Sequence, residues 1–150
     1  MTLRQWFFDQ NLKTMNLAHR VLLGVTRGRR GWTIGPMPAV ELHTIGRNSG
    51  IRRSTMLTSP VHGDGRWVLV ASKGGDDRDP EWYLNLVANP EIELTVRGVT
   101  IALRARTATP EEKSELWPQI VKVNPGYAGY QRKTEREIPV VICEGGRRSG

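Results

Sequence analysis

The 150-residue sequence has one cysteine, Cys143, which excludes an internal disulfide and leaves no multi-cysteine metal site. That economy fits a reducing, cytoplasmic setting. No apolar run approaches the roughly 20 residues that a membrane-spanning helix needs, and no charged start, apolar core and small-residue cleavage site marks a leader. His19, His43 and His62 are dispersed, with no carboxylate or cysteine at ligand spacing, which argues against a metal centre. A G-x-S-x-G elbow is absent, and no histidine lies near Ser72 in sequence, so hydrolysis is unsupported. No G-x-G-x-x-G follows a strand, so a Rossmann nicotinamide site is not expected. There is no internal repeat and no low-complexity tract.

What is present is a basic, mixed-composition chain. Its 22 Lys+Arg against 15 Asp+Glu give a formal charge of +7, which calls for an acidic partner without saying whether that is a phosphorylated cofactor, anionic lipid or nucleic acid. Nucleic-acid binding would add a helix-turn-helix, a metal finger or stacking aromatics on a sheet, and none is found. With 38% hydrophobic and 25% charged residues the chain suffices for one domain with a real core, and is too short to count on two.

The central stretch, residues 68–96, reads as a strand over 67–72, a polar glycine loop, a short helix and an alternating strand over 91–97. Asp79 is the expected cap of that helix and Pro80 its first residue. The strand would thereby deliver Ser72, Lys73, Gly74 and Gly75 to a sheet edge beside a helix start, where unpaired amides favour anionic or carbonyl-rich ligands. Upstream, residues 2–25 read as an amphipathic helix with Phe8, Leu12, Met15, His19 and Leu22 on one stripe. Such a helix can pack over a sheet. With Trp6, Phe7 and Phe8 beside a basic flank ending in Arg27, Arg29 and Arg30, it can also lie on an anionic membrane.

Gly, Pro and Arg mark a linker over 28–38. Strands follow over 39–45 and 53–61, joined by a loop over 46–52; across 46–54 two glycines fold the amides into a nest and three arginines add contacts to phosphate or carboxylate. Residues 62–66 form a hairpin turn around Asp64 and Gly65. A second hairpin turns at Gly98 between strands 91–97 and 99–107. Thr109, Pro110 and Glu112 open a helix as cap, first-turn proline and capping-box partner. Residues 123–131 read as a Gly/Pro loop carrying Tyr127 and Tyr130 toward a pocket mouth, and 137–143 as a last strand holding a buried, inert Cys143. About six strands joined mainly by hairpins, with few helices between them, predict a mainly β domain with flanking helices whose antiparallel sheet closes on itself. The expected organisation is an N-terminal helix and basic linker over 1–30, one coenzyme-binding domain over 31–144 and a flexible tail over 145–150.

The motif ASKGG at 71–75, followed by P-x-WYLNL-x-ANP at 80–90, resembles the deazaflavin-dependent nitroreductase family. The likeness continues through TIGRNSGIRRS at 44–54, ELWPQIVKVNPGYAGYQ at 115–131 and REIPVVICE at 136–144. It implies a six-stranded split β-barrel of the FMN-binding type that holds reduced coenzyme F420, an 8-hydroxy-5-deazaflavin. In that family the N-terminal segment is linked to membrane association or substrate access. By resemblance, Asn48, Ser49, Gly50, Arg53, Ser54, Thr55, Met56, Leu57, Thr58 and Ser59 hold the phosphodiester tail and one side of the ring. Val70, Ala71, Ser72 and Lys73 present main-chain groups to its polar edge, Glu81, Trp82, Tyr83, Leu84 and Asn85 line the other side, and Tyr127 closes the site. The implied catalytic positions are Tyr127, Tyr130 and Ser72, a tyrosine hydroxyl supplying the proton that the acceptor needs after hydride. Three positions depart from the family pattern: Asn48 stands for a common lysine, while Asn124 and Ser59 stand where nitroimidazole-active members carry aromatics.

The expected function is hydride transfer from reduced F420 to a quinone, an enone or another electron-poor small molecule, in the cytoplasm or at the inner face of the cell membrane. Two alternatives are an FMN- or flavin-binding split barrel and a basic peripheral membrane protein without redox activity. Oligomeric state is open.

Overall fold

The computed structural model describes residues 33–34 and 37–145. The expected N-terminal helix, most of the basic linker and the tail beyond Gly145 lie outside these residues.

Eight antiparallel strands form one curled sheet: β1 (Thr33–Ile34), β2 (Met37–Ile45), β3 (Arg52–Thr58), β4 (Val61–Gly63), β5 (Arg66–Val70), β6 (Glu91–Val96), β7 (Val99–Thr107) and β8 (Val140–Glu144). Their order is β1-β2-β6-β7-β8-β5-β4, with β3 paired to β2 alone. Both β3 and β4 therefore end the ladder, and the barrel is split between them. Ser59 stitches across this split: its amide donates to the Pro38 carbonyl at 3.0 Å and its hydroxyl to the Val68 carbonyl at 2.8 Å.

The count exceeds the six expected for two local reasons. Ser59 and Pro60 break what reads as one strand over 53–61, so Val61 starts β4, and the presumed linker already contains β1 and the first residues of β2. The last strand also starts later than expected. Glu137 pairs with Lys113 at 2.6 Å, and Pro139, which has no amide hydrogen, precedes the ladder.

Burial explains the strand compositions. In β5 and β8, Leu69, Val141 and Cys143 enter one apolar cluster with Val40, Leu42, Ile92, Leu94 and Leu103, while Val68, Val70, Val140 and Ile142 enter a second on the opposite face. Strands covered on both faces must be apolar throughout, as their runs WVLV and VVIC are. Strands β6 and β7 bury one face only and alternate.

Helix α1 (Glu81–Ala88) covers the first cluster through Leu86. Helices α2 (Pro110–Val123) and α3 (Gly126–Arg132) cover the second through Leu116, Ile120 and Tyr127. Residues 126–132 are thus helical where a loop was expected. Glycine's propensity deficit, about 1 kcal/mol each, is overcome by burial of Tyr127 and by Asn124 accepting the Gly126 amide at 3.0 Å.

The capping box of α2 forms as read: Thr109 Oγ1 accepts the Glu112 amide at 3.2 Å and Glu112 accepts the Thr109 amide at 2.9 Å. Two hydrogen bonds from Arg106 to the same carboxylate, followed by the Thr109 amide, hold Glu112 at about 2 against an ordinary 4.5. A depressed carboxyl stabilises the fold above its ordinary value, and that contribution disappears as pH falls toward about 2. Glu112→Gln is accordingly expected to lower the melting temperature at pH 6 and to match the wild type near pH 2, as thermal melts across that range will show.

Candidate active site

Strand β5 ends at Val70, and the chain then makes a turn of unusual backbone. Ser72 is right-handed helical (φ −76°, ψ −35°), while Lys73, Gly74 and Gly75 follow at φ +47°, +64° and +86°. A right-handed residue followed by a left-handed one turns successive amide hydrogens into the same concavity, a nest for an anionic or carbonyl oxygen. The Ser72 and Gly74 amides have no acceptor among the described residues. A non-glycine side chain in the left-handed region is strained, and Lys73 is held there by its surroundings.

Those surroundings can be named. The Gly75 Cα lies so close to α3 that an added Cβ would stand 2.9 Å from the Tyr130 carbonyl oxygen and 3.0 Å from Lys133 Cβ. Buried Asp76 accepts from the Arg78 amide at 2.9 Å and from its guanidinium at 3.1 Å. Burial would raise the Asp76 carboxyl, but the Arg78 hydrogen bonds and the charges of Arg78 and Lys73 outweigh it and keep it below the usual carboxylate range. Asp79 does not cap α1. Its carboxylate accepts from Arg136 at 3.0 Å, and extended Pro80 takes the cap position, because a guanidinium partner outcompetes a weak amide bond.

The loop over 46–51 is built differently from the expectation. Its Gly46, Gly50 and Ile51 amides donate within the loop, to Ile51 O, Gly46 O and Ser49 Oγ. The nest expected here is therefore closed, and what the loop offers is cationic side chains. Arg47 anchors it to α1, its amide and guanidinium donating to Asn85 Oδ1 at 3.2 and 2.9 Å and its guanidinium pairing with Glu81 at 2.9 Å. Arg53 is exposed, and its guanidinium makes no ion pair or hydrogen bond among the described residues. Asn48, Ser49 and Gly50 are exposed at the tip.

Pleating divides the β3 positions. Thr55 and Leu57, opposite Leu42 and Val40, face the barrel interior, whereas Ser54, Met56 and Thr58 take the other face. On that face buried His43 links Ser54 Oγ at 2.7 Å to Thr95 Oγ1 at 2.8 Å. The structure thus does not bring all the side chains over 54–59 to one ligand, and buried Ser59 has its hydroxyl committed to main-chain carbonyls. Val70 and Ala71 are buried, so only main-chain groups remain to them. Trp82 and Leu84 are half-buried along α1, and Tyr83 turns away to Thr107 Oγ1 at 2.8 Å.

Tyr127 sits in the second core cluster, 7% exposed, with its hydroxyl 3.4 Å from Thr58 Oγ1. Burial raises its ionisation above the ordinary value, so it is a neutral hydroxyl throughout the physiological range. Tyr130 is half-buried and edge-on to Tyr127 at 6.0 Å, and its hydroxyl has no hydrogen bond among the described residues. Cys143, in the first core cluster on the other face of the sheet, is pushed up to about 12 by burial, then by Glu144. Its thiol is expected to resist an aromatic disulfide reagent until denaturant is added, which absorbance of the released thiolate will show.

These contacts run in a closed circuit: Thr58 to Tyr127, Tyr130 to Gly75, Ser72 to Arg136, Arg136 to Asp79, then through α1 to Arg47 and back along the loop to β3. Arg136 is a member that residue-type reasoning did not assign, and for Arg47 and Gly75 it gave the segment without the partner. Arg47 sits in the recognised loop, and Arg136 opens the last recognised motif, but neither spacing reveals its partner.

An antiparallel barrel split along one edge, with an amide nest and exposed cationic loop beside the split, is the architecture of the split-barrel oxidoreductases that hold a flavin or deazaflavin. The donors fit such a coenzyme: amides suit carbonyl oxygens of a ring, and Arg53 suits a phosphodiester. Residues 18–145 match the model of the F420H(2)-dependent quinone reductases, and the chain belongs to that family. It is 41% identical over 129 residues to an F420H(2)-dependent quinone reductase of Mycobacterium tuberculosis strain H37Rv, covering 83% of this chain and 85% of the relative. Among solved structures, an F420-H2 dependent reductase, FDR-A, superposes with a TM-score of 0.65 at 40% identity, over 71% of this chain and 94% of that one. A second, described as a domain-swapped dimer, superposes with a TM-score of 0.66 at 32% identity, over 95% of this chain and all of the other.

Proposed function

We propose that the split beside β3 is where this F420-dependent reductase takes up its coenzyme, and that a quinone or similar electron-poor acceptor is reduced over it. The observation that supports this placement is the turn at Ser72 and Lys73: the Ser72 and Gly74 amides have no acceptor among the described residues, and the turn is held at the cost of a left-handed lysine. When bound, the reduced deazaflavin supplies a hydride. The chain's own part is to bind, orient and protonate. The Ser72 and Gly74 amides receive ring carbonyl oxygens, and Arg53 and Lys73 receive the negative tail. Trp82 and Asn85 border the opposite side. Tyr130, whose hydroxyl is uncommitted, is better placed than Tyr127 to give a proton to the reduced acceptor, while Tyr127 supports it edge-on.

A titration of the protein with oxidised F420, followed by tryptophan quenching and run beside FMN, tests the reading. Saturable binding of F420 in preference to FMN is the expected result, and FMN preference or no binding at all defeats it. Turnover with a quinone is expected to fall about tenfold or more in Tyr130→Phe and less in Tyr127→Phe. The reverse order would return the proton-donor role to Tyr127.

Membrane contact belongs to the same proposal. Among the described residues no helix is long and apolar enough to cross a bilayer. The basic, aromatic-bearing segment over 1–30 supports a peripheral placement beside a lipid-soluble quinone. Co-sedimentation with anionic vesicles should be lost on deleting residues 1–28.

A further inference from the structure

We infer that Arg136 is the positioning residue that sets the shape of the coenzyme nest, an inference that rests on the placement of the coenzyme proposed above. One guanidinium, only partly exposed, donates to three main-chain carbonyls of the nest segment: Ser72 O at 2.9 Å, Ala71 O at 3.2 Å and Asp76 O at 2.8 Å. Its remaining terminal nitrogen donates to the Asp79 carboxylate at 3.0 Å. The carbonyls it takes precede the nest on one side and follow it on the other. With the Ala71 and Ser72 carbonyls turned toward Arg136, the peptide planes aim the next amides away from it, and the first of them, that of Ser72, is one of the two nest amides without an acceptor among the described residues.

The planar fork is what makes this work. A lysine keeps the charge but cannot reach carbonyls and a carboxylate in several directions at once from rigidly oriented donors. Arg136 is itself fixed: Gln131 donates to its carbonyl at 2.8 Å while accepting the Ile138 amide at 3.0 Å, which ties the residue to α3 and to the entry of β8. It also borders a surface cleft of about 410 Å³ with Asp77, Arg132, Lys133, Thr134 and Glu135, and its side chain is 15% exposed.

The test uses the full chain as wild type, Arg136→Ala and Arg136→Lys. Dissociation constants for oxidised F420 are read by tryptophan quenching, and amide exchange at Ser72 by hydrogen exchange without coenzyme. Both variants are expected to bind F420 about tenfold or more weakly, with faster Ser72 exchange and an unchanged KM for the quinone. Ethylguanidinium at millimolar concentration should restore affinity to Arg136→Ala and not to Arg136→Lys. If Arg136→Ala does not fold, Arg136→Lys carries the comparison. Wild-type affinity in a folded variant, or a lowered melting temperature without loss of affinity, overturns the inference. Failure of the wild type to bind F420 is a separate result, because it removes the coenzyme placement itself.

Discussion

Arg53→Ala combined with Lys73→Ala is expected to weaken F420 binding by about a hundredfold or more, while the melting temperature stays within about 2 °C of the wild type. Hydrogen bonds to a charged group contribute about 1.5 to 3 kcal/mol each, and two such groups multiply. The fold loses little because Arg53 is exposed and outside every ion pair among the described residues, and neither side chain belongs to an apolar cluster. The difference between variant and wild type should shrink as salt rises, since partly exposed charges are screened. Tryptophan titrations at low and high ionic strength measure both statements. Affinity within twofold of wild type would remove these cations from the coenzyme site.

Gly75→Ala is the second large expectation, and it strikes fold and site together. A Cβ at φ +86° is strained, and here it would also press on the Tyr130 carbonyl oxygen, a main-chain atom that cannot rotate away. The two costs together come to about 3 kcal/mol, or a melting temperature lower by about 6 to 12 °C. Because the same contact sets the nest against α3, F420 affinity should fall in step. Gly98→Ala is the control: its φ is also positive at +81°, but a Cβ there meets nothing within 4 Å, so a smaller loss and unchanged affinity are expected. A Gly75→Ala protein as stable as Gly98→Ala would show that the α3 contact is slack.

Sequence periodicity was enough for β6, β7 and the capping box of α2, because each rests on neighbours close in the chain. Asp64 and Gly65, both at positive φ, likewise made the β4–β5 turn readable. It misplaced the boundary at Ser59 and Pro60, where a serine hydroxyl bound to Val68 substitutes for strand pairing, and missed α3, whose glycines conceal a helix fixed by Tyr127. At the candidate site, residue types named segments that the structure brings together, but not the contacts between them. The glycines at 46 and 50 look more nest-like than Ser72 and Lys73, yet their loop closes its own amides, while the lysine turn leaves those of Ser72 and Gly74 without an acceptor among the described residues. Arg136 acts across 57 to 65 residues of chain, and no local pattern carries a contact of that separation.

The position of β8 in the sheet has a consequence for how the protein is made. It lies between β7 and β5, so a growing chain holds two pieces of sheet linked by the Ser59 stitch but by no strand pairing, each with a bare flank, until β8 has been made. Arg136 emerges just ahead of that strand. The ribosome therefore releases the candidate site and the closing seam together, and a nascent chain stalled before Val140 should be captured by chaperones and show no affinity for coenzyme.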